Sequence, residues 1–400
     1  MKLKRIPEDF QVEEQIALPV AGGPFALFRL TKQSLGTPEA IEAILRRWDL
    51  PRQQLAFAGL KDKHALTTQY VTIRGGPRRG LAQTNLSLEY VGQTDRPVHP
   101  SDIAANRFTV VLRDLDDAEL QKLTTNLAAV AKDGVPNYFD NQRFGSLGES
   151  GEFIAKPWCL GDYERAVWLA LADPNVHDRQ GEREQKRLLR EQWGNWAKLK
   201  TQRSRWQGAD IVAFLVGAPR DFRRALALAP QHLRSLWLAA FQSHLWNQIL
   251  AALVRQDCRP EQCVLQPIGS RDVPFFTDLD DAHRAQLARS ILPLPSARLH
   301  LDPSPLQDLY DRVLAAEGIE LRQVRVKYPR DSFFSKGDRP AIVLPRDLQH
   351  AAAGDDLYPG RQKLTLRFTL PRGAYATILV KRITDFAGGA LSDGDTESDE

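Results

Sequence analysis

The sequence predicts an α+β protein in which one mixed α/β domain is interrupted by a helix-rich inserted α/β domain. Three observations carry this. Up to about residue 160, short β-rich runs mix with helical ones. From 161 to 344 helical periodicity dominates, and from 345 to 388 the β-rich character returns. Residues 1–160 with 345–388 are therefore expected to form one domain, 161–344 the insertion, and 389–400 an acidic, disordered tail. A chain of 400 residues also exceeds what one hydrophobic core usually serves.

The elements follow in order. Thr37 and Pro38 open a helix over EAIEAILRRW, with Thr37 able to cap and Pro38 suited to the first turn. Its apolar residues Ile41, Ile44, Leu45 and Trp48 recur at helical spacing. Residues 69–73 read as a strand stopped by Gly75 and Gly76, and 107–115 as a second strand. After Asp116 a helix runs to Gly134. In the middle, YERAVWLAL, EREQKRLLREQW and HLRSLWLAAFQSHLWNQILAAL read as helices. Residues 363–370 and 375–383 read as two strands of a hairpin closed by Pro371, Arg372 and Gly373.

Composition is that of a soluble globular protein, 42% hydrophobic and 26% charged. No window approaches the ~18 uninterrupted apolar residues of a membrane helix, and MKLKRIPEDFQVEE holds no apolar stretch of signal-peptide length. A cytoplasmic location without membrane association is the expectation. Cys159, Cys258 and Cys263 are odd in number and lack zinc-ligand spacing, so reduced, structural thiols are expected. The formal net charge is +4, but the last ten residues carry five acids and no base, which leaves +9 on the rest. That distribution favours a polyanionic partner.

Three stretches could carry chemistry. In FAGLKDKHALTTQYVTI, Asp62 lies between Lys61 and Lys63, with His64 next. Two flanking ammonium groups favour the charged carboxylate, suiting it to act as nucleophile or electrostatic stabiliser; a solvated surface turn is the alternative. In NYFDNQRFG, Asn137, Tyr138 and Phe139 combine an amide with aromatics, the equipment that grips an unstacked base. The alternative there is a core plug. Between Arg179 and Arg205, nine Lys/Arg against Glu182, Glu184 and Glu191, with Trp193, Trp196 and Trp206 interspersed, form either a phosphate-contacting face or a solvated helix laced with ion pairs. No GxxxxGK[ST], GxGxxG, HExxH or GxSxG is present, so no cofactor or metal is expected.

Five motifs in order give these stretches a common meaning. PEDFQVEE (7–14), AGLKDKHALTTQ (58–69), VPNYFDNQRFG (135–145), RSLWLAAFQSHLWNQ (234–248) and LRFTLPRGAYAT (366–377) resemble the motifs of the TruD-type tRNA pseudouridine synthases. The resemblance implies a pseudouridine synthase catalytic domain carrying an inserted TRUD domain. It makes Asp62 the catalytic nucleophile, Lys4 and Phe10 residues lining the active site, and Asn137 and Phe139 residues that bind and stack the target base. Tyr375 stands where the family usually has Phe, Asp140 where it has Gly, and Ala105 where Gly commonly precedes Asn106. The implied reaction is cofactor-free isomerisation of uridine 13 in the D-arm of tRNA, by a monomer. A non-catalytic RNA-binding or RNA-folding protein on the same scaffold is the alternative. A glycosidase-like hydrolase is disfavoured, because the loop around Asp62 offers one acid where such enzymes pair two.

Overall fold

The structure, a computed structural model, describes residues 1–202 and 208–384. The acidic tail lies outside the described residues, as do Arg203, Arg205 and Trp206. The described chain divides into two compact units: Met1–Val135 together with residues 343–384, and Pro136–Ile342.

The first unit is built on a ten-stranded sheet. Its long strands are β1 (Phe10–Ile16), β2 (Phe25–Gln33), β3 (Leu66–Arg74), β4 (Leu86–Thr94), β5 (Ile103–Leu115), β6 (Arg346–Gly354) and β7 (Gln362–Pro371). They lie in the order β6-β7-β5-β1-β3-β2-β4. β1 and β3 are parallel, and β5 pairs antiparallel with both β1 and β7. Alternation sets one face inward: Ala26, Phe28 and Leu30 of β2 are buried, as are Phe10 and Val12 of β1. Helix α1 (Thr37–Trp48) lays Ala40, Ile41 and Ile44 on this face against Leu55, Val71, Ile73, Leu86 and Leu88. Gly36 occupies the N-cap of α1, so Thr37 lies inside the first turn and its hydroxyl is spent elsewhere, as described below. Helix α2 (Asp117–Asp133) starts on a capping box between Asp116 and Glu119. It packs beside α3 (Ala376–Thr384), where the Asn126 amide donates to the Ile383 carbonyl at 2.6 Å.

Helix α3 corrects the reading of 375–383 as a hairpin strand. The run is rich in β-branched residues, but β7 is already paired by β5 on one side and β6 on the other, so no edge is open to receive it. Gly373, with φ at +86°, turns the chain away from the sheet. From Ile378 to Thr384 every residue is buried, the pattern of a helix covered all round.

The second unit is organised around a 27-residue helix, Gln231–Asp257, buried along most of its length. Trp246 on it is fully buried and donates its indole N–H to the Leu292 carbonyl at 3.1 Å. Shorter helices and the hairpin Cys263–Ile268 with Arg271–Phe276 pack about it. Residues 136–160, assigned from sequence to the first domain, lie in this unit. Packing assigns them where periodicity could not. Tyr138 is fully buried, its ring 5.4 Å from Phe275 and its hydroxyl donating to the Pro274 carbonyl at 2.9 Å. Phe153 lies 6.0 Å from Phe241. All three cysteines are free thiols, and burial pushes Cys159 up to about 12. No described helix is long and apolar enough to cross a membrane.

Candidate active site

Residues 58–65 leave the sheet between the short strand Leu55–Phe57 and β3 without regular structure, so their backbone groups need partners from elsewhere. Buried polar side chains supply them. Gln69 on β3 donates to the Gly59 carbonyl at 3.1 Å. The Thr37 hydroxyl accepts from the Lys61 amide at 3.0 Å and donates to Gln69 Oε1 at 2.9 Å. Lys32, fully buried at the end of β2, sends its ammonium to the carbonyls of Leu35 at 2.6 Å, Asp62 at 2.8 Å and Lys61 at 3.4 Å. Burial pushes Lys32 down to about 8, against the opposite pull of Asp62 and Glu39.

This scaffold presents the Asp62 carboxylate. Lys4 Nζ donates to Oδ2 at 2.8 Å, and the His64 amide donates to Oδ1 at 3.1 Å. Burial disfavours the charged form, but the Lys4 ammonium and its hydrogen bond, with the His64 amide, outweigh it and hold the carboxyl below its usual range. The ionising partner is thus neither of the sequence neighbours. Lys61 turns away, 2.8 Å from Glu14 Oε1 and 3.0 Å from Asn106 Oδ1, while Lys63 is exposed. Glu14 is itself buried and accepts from the Tyr70 amide at 3.1 Å.

Lys4 is aimed by its surroundings. It has φ at +55°, a left-handed conformation uncommon for a residue with a side chain. The next turn is fixed by Asp9, whose Oδ2 accepts from the Arg5 and Ile6 amides at 3.0 and 3.2 Å. Asp9 is buried against Arg113, whose Nε donates to Oδ1 at 2.8 Å. The Lys4 ammonium lies 4.4 Å from the centroid of the Phe10 ring. Lys4, Phe10 and Asp62 therefore come together. Tyr375, half-buried, immediately precedes α3 in the same unit.

Asn137 and Phe139 occupy the second unit, and both are engaged. Asn137 Oδ1 accepts from Arg339 Nη2 at 2.7 Å, and its Nδ2 donates to the Pro340 carbonyl at 3.0 Å. Phe139 is held through its backbone, its amide donating to Asn247 Oδ1 at 2.9 Å and its carbonyl accepting from Asn247 Nδ2 at 2.8 Å. Its ring is 5.6 Å from Trp246 and edge-on to it, and the Arg339 guanidinium lies 4.1 Å from the Phe139 centroid.

The basic stretch from Arg179 is an ion-paired helix among its described residues. In Gln180–Glu191, Arg187 pairs with Glu184 at 2.6 Å and Glu191 at 2.7 Å, and Lys186 pairs with Asp178 at 2.8 Å. Trp193 and Trp196 pack on each other at 4.9 Å and on Phe222. No group of three His, Cys, Asp or Glu among the described residues is placed to hold a metal. The residues missed in the sequence are Lys32, Thr37, Gln69 and Glu14. Lys32 and Glu14 were visible in principle, as charged residues in phase with the inward-facing Phe28 and Leu30, and with Phe10 and Val12.

Comparisons with known proteins agree in kind. The family model described as tRNA pseudouridine synthase D (TruD) matches residues 1–383. A Methanocaldococcus jannaschii protein named probable tRNA pseudouridine synthase D 2 is 30% identical over 391 residues, covering 96% of this chain and 91% of its own. The tRNA pseudouridine synthase D of Aquifex aeolicus is 29% identical over 393 residues, with 96% and 98% covered. A crystal structure of a Methanosarcina mazei protein described as TruD superposes with a TM-score of 0.72 at 22% identity, covering 96% of this chain and 93% of that one, a likeness of fold.

Proposed function

This chain belongs to the tRNA pseudouridine synthase D (TruD) family, isomerases that convert uridine to pseudouridine in tRNA, and we propose that it isomerises uridine 13 of the D-arm with Asp62 as nucleophile. The observation that carries the reading is a carboxylate kept ionised by Lys4 on a loop pinned at four backbone atoms: Gly59 O, Lys61 N, Lys61 O and Asp62 O. Such a group is in the nucleophilic state at neutral pH and needs no reorganisation to react.

The uridine is flipped from the RNA. Asp62 acts on the sugar, either by adding to C1′ or by taking a proton to give a glycal-type intermediate. The C1′–N1 bond breaks, the base turns, and a C5–C1′ bond forms. C5 then loses its proton and N1 gains one, so the product has the atoms of the substrate. Because water must stay out, exclusion of solvent matters more than a general base. Phe10 and Lys4 border the carboxylate, while Asn137, Phe139 and Tyr375 bind the base. Neither a cofactor nor a metal takes part, and the protein acts as a cytoplasmic monomer.

The test is to incubate the protein and an Asp62→Asn variant with unmodified tRNA transcripts and map pseudouridine by carbodiimide adducts and reverse-transcription stops. A new D-arm stop with the parent protein, reduced on the order of 10³-fold or more in the variant, is expected. Product from both would remove Asp62 as nucleophile. Product from neither, with tRNA still bound, would leave a non-catalytic RNA-binding protein.

A further inference from the structure

A second basic segment, in residues 324–330 of the Pro136–Ile342 unit, differs in kind from the ion-paired helix Gln180–Glu191. Its sequence, VRVKYPR, places apolar residues and cations alternately. Val324 is buried, Val326 and Tyr328 are half-buried, and Arg325 and Lys327 between them are exposed. Three contacts fix the segment. The Ala297 amide donates to the Val324 carbonyl at 2.9 Å, Trp158 Nε1 donates to the Tyr328 carbonyl at 3.1 Å, and the Arg223 guanidinium lies 4.9 Å from the Tyr328 ring centroid. Arg223, on the helix Phe222–Ala227, and Arg330 are exposed beside the run.

No acid among the described residues pairs with Arg223, Arg325, Lys327 or Arg330. The nearby carboxylates are occupied by other arginines: Asp221 by Arg224 at 3.6 Å, Asp331 by Arg234 at 2.7 Å, and Glu320 by Arg322. Phe333, 65% exposed, stands just beyond Asp331 and Ser332, both of which Arg234 holds. A fixed backbone that points uncompensated cations at solvent gains nothing within the protein, since like charges repel. It gains when a polyanion arrives and releases its counterions. An exposed aromatic three residues along the chain from Arg330 suits a nucleic acid, whose bases stack while its phosphates pair.

We propose that Arg223, Arg325, Lys327 and Arg330, with Phe333, form a docking surface for the phosphate backbone of the RNA substrate. The proposal rests on the tRNA reading above and assigns the phosphate contacts to this segment, not to the basic helix from Arg179. These residues bind RNA and take no part in the chemistry at Asp62.

The test compares the parent protein with an Arg325→Ala/Lys327→Ala variant on unmodified tRNA, measuring Kd from 50 to 300 mM salt together with KM and kcat for pseudouridine formation. Both side chains point to solvent, so the variant is expected to melt like the parent. The slope of log Kd against log salt should fall by about 2, roughly one for each phosphate contact removed. KM should rise about tenfold near physiological salt while kcat at saturating tRNA holds, and the exchanged pair Arg325→Lys/Lys327→Arg should retain both slope and KM. A parent-like Kd and slope in the alanine variant would overturn the surface while leaving the tRNA reading intact. A parent protein that neither binds nor modifies tRNA would overturn that reading, and the surface with it. Loss of binding to phosphatidylserine vesicles with tRNA affinity unchanged would make the patch a membrane contact and sink the proposal.

Discussion

Loop 59–62 and segment 137–139 both lack regular structure, and in both a buried polar side chain from a neighbouring element takes over the backbone hydrogen bonds. Lys32 serves the carbonyls of Lys61 and Asp62; Asn247, 2% exposed, serves both the amide and the carbonyl of Phe139. They differ in what they present. The Asp62 side chain keeps 22% of its surface in solvent, whereas Phe139 is buried with a guanidinium 4.1 Å from its ring centroid. The first loop is already set for chemistry. The second is set as packing, so a base that stacks on Phe139 must contend with Arg339. Irregular backbone can be made rigid without being made a core, and the side chain that does the pinning decides where the reactive group stands.

The largest effect that would break this comparison is at Lys32. A Lys32→Met variant leaves the Asp62 carbonyl without its donor and frees the loop. Displacing a reacting group by about 1 Å costs on the order of 10²-fold, so kcat for pseudouridine formation should fall by about that much, with tRNA binding little changed. The parent should also lose rate as pH rises through about 8, where Lys32 sheds its proton and one of its donors. For folding the sign is the reverse. A lysine whose folded value is lowered binds fewer protons folded than unfolded above about 8, so its contribution to stability grows from there up to its ordinary range. Rate and stability should therefore part company on the alkaline side. A variant with the parent's kcat would show that the loop holds its shape without Lys32.

Asn247→Ala probes the other half. It strands the buried amide and carbonyl of Phe139, and each group left unpaired costs about 1–3 kcal/mol. Urea melts should show a loss of about 4 kcal/mol for the two groups together. Because Phe139 is proposed to hold the base, kcat measured below the melting transition should fall as well; a kcat near the parent's would make segment 137–139 packing only.

What the sequence discloses divides along the same line. Strand alternation and the helical period of α1 and α2 are local patterns, and Asp62 stands out between two lysines and within a recognisable motif. Lys4 enters by resemblance, but nothing local says that its ammonium crosses 58 positions to reach Asp62 while Lys61, next door, goes to Glu14. That choice depends on which strands are neighbours. The same holds for α3: a β-branched run becomes a helix because both edges of β7 are taken. Residues 136–160 had no period to read, and only the burial of Tyr138 and Phe153 places them. Lys32 is legible in principle, a cation at an inward strand position, where burial is tolerated only if its hydrogen bonds are met.

The smallest expected effect is the sharpest test of the ionisation argument. Burial raises the Asp62 carboxyl, while Lys4 and the His64 amide lower it further than burial raises it. A group whose folded value is depressed is charged above that value and becomes protonated as pH falls through it. In a Lys4→Met variant burial is opposed mainly by the His64 amide, so the acid limb of kcat/KM should move to higher pH. Near neutrality the loss should be about tenfold, the worth of one charge-assisted hydrogen bond of about 1.5 kcal/mol. Lys61→Met serves as the control, because its ammonium answers to Glu14 and Asn106; it should leave the acid limb in place. If the limb moved in the Lys61 variant and not in the Lys4 variant, the sequence neighbour, and not the lysine brought in by the fold, would hold Asp62 ionised.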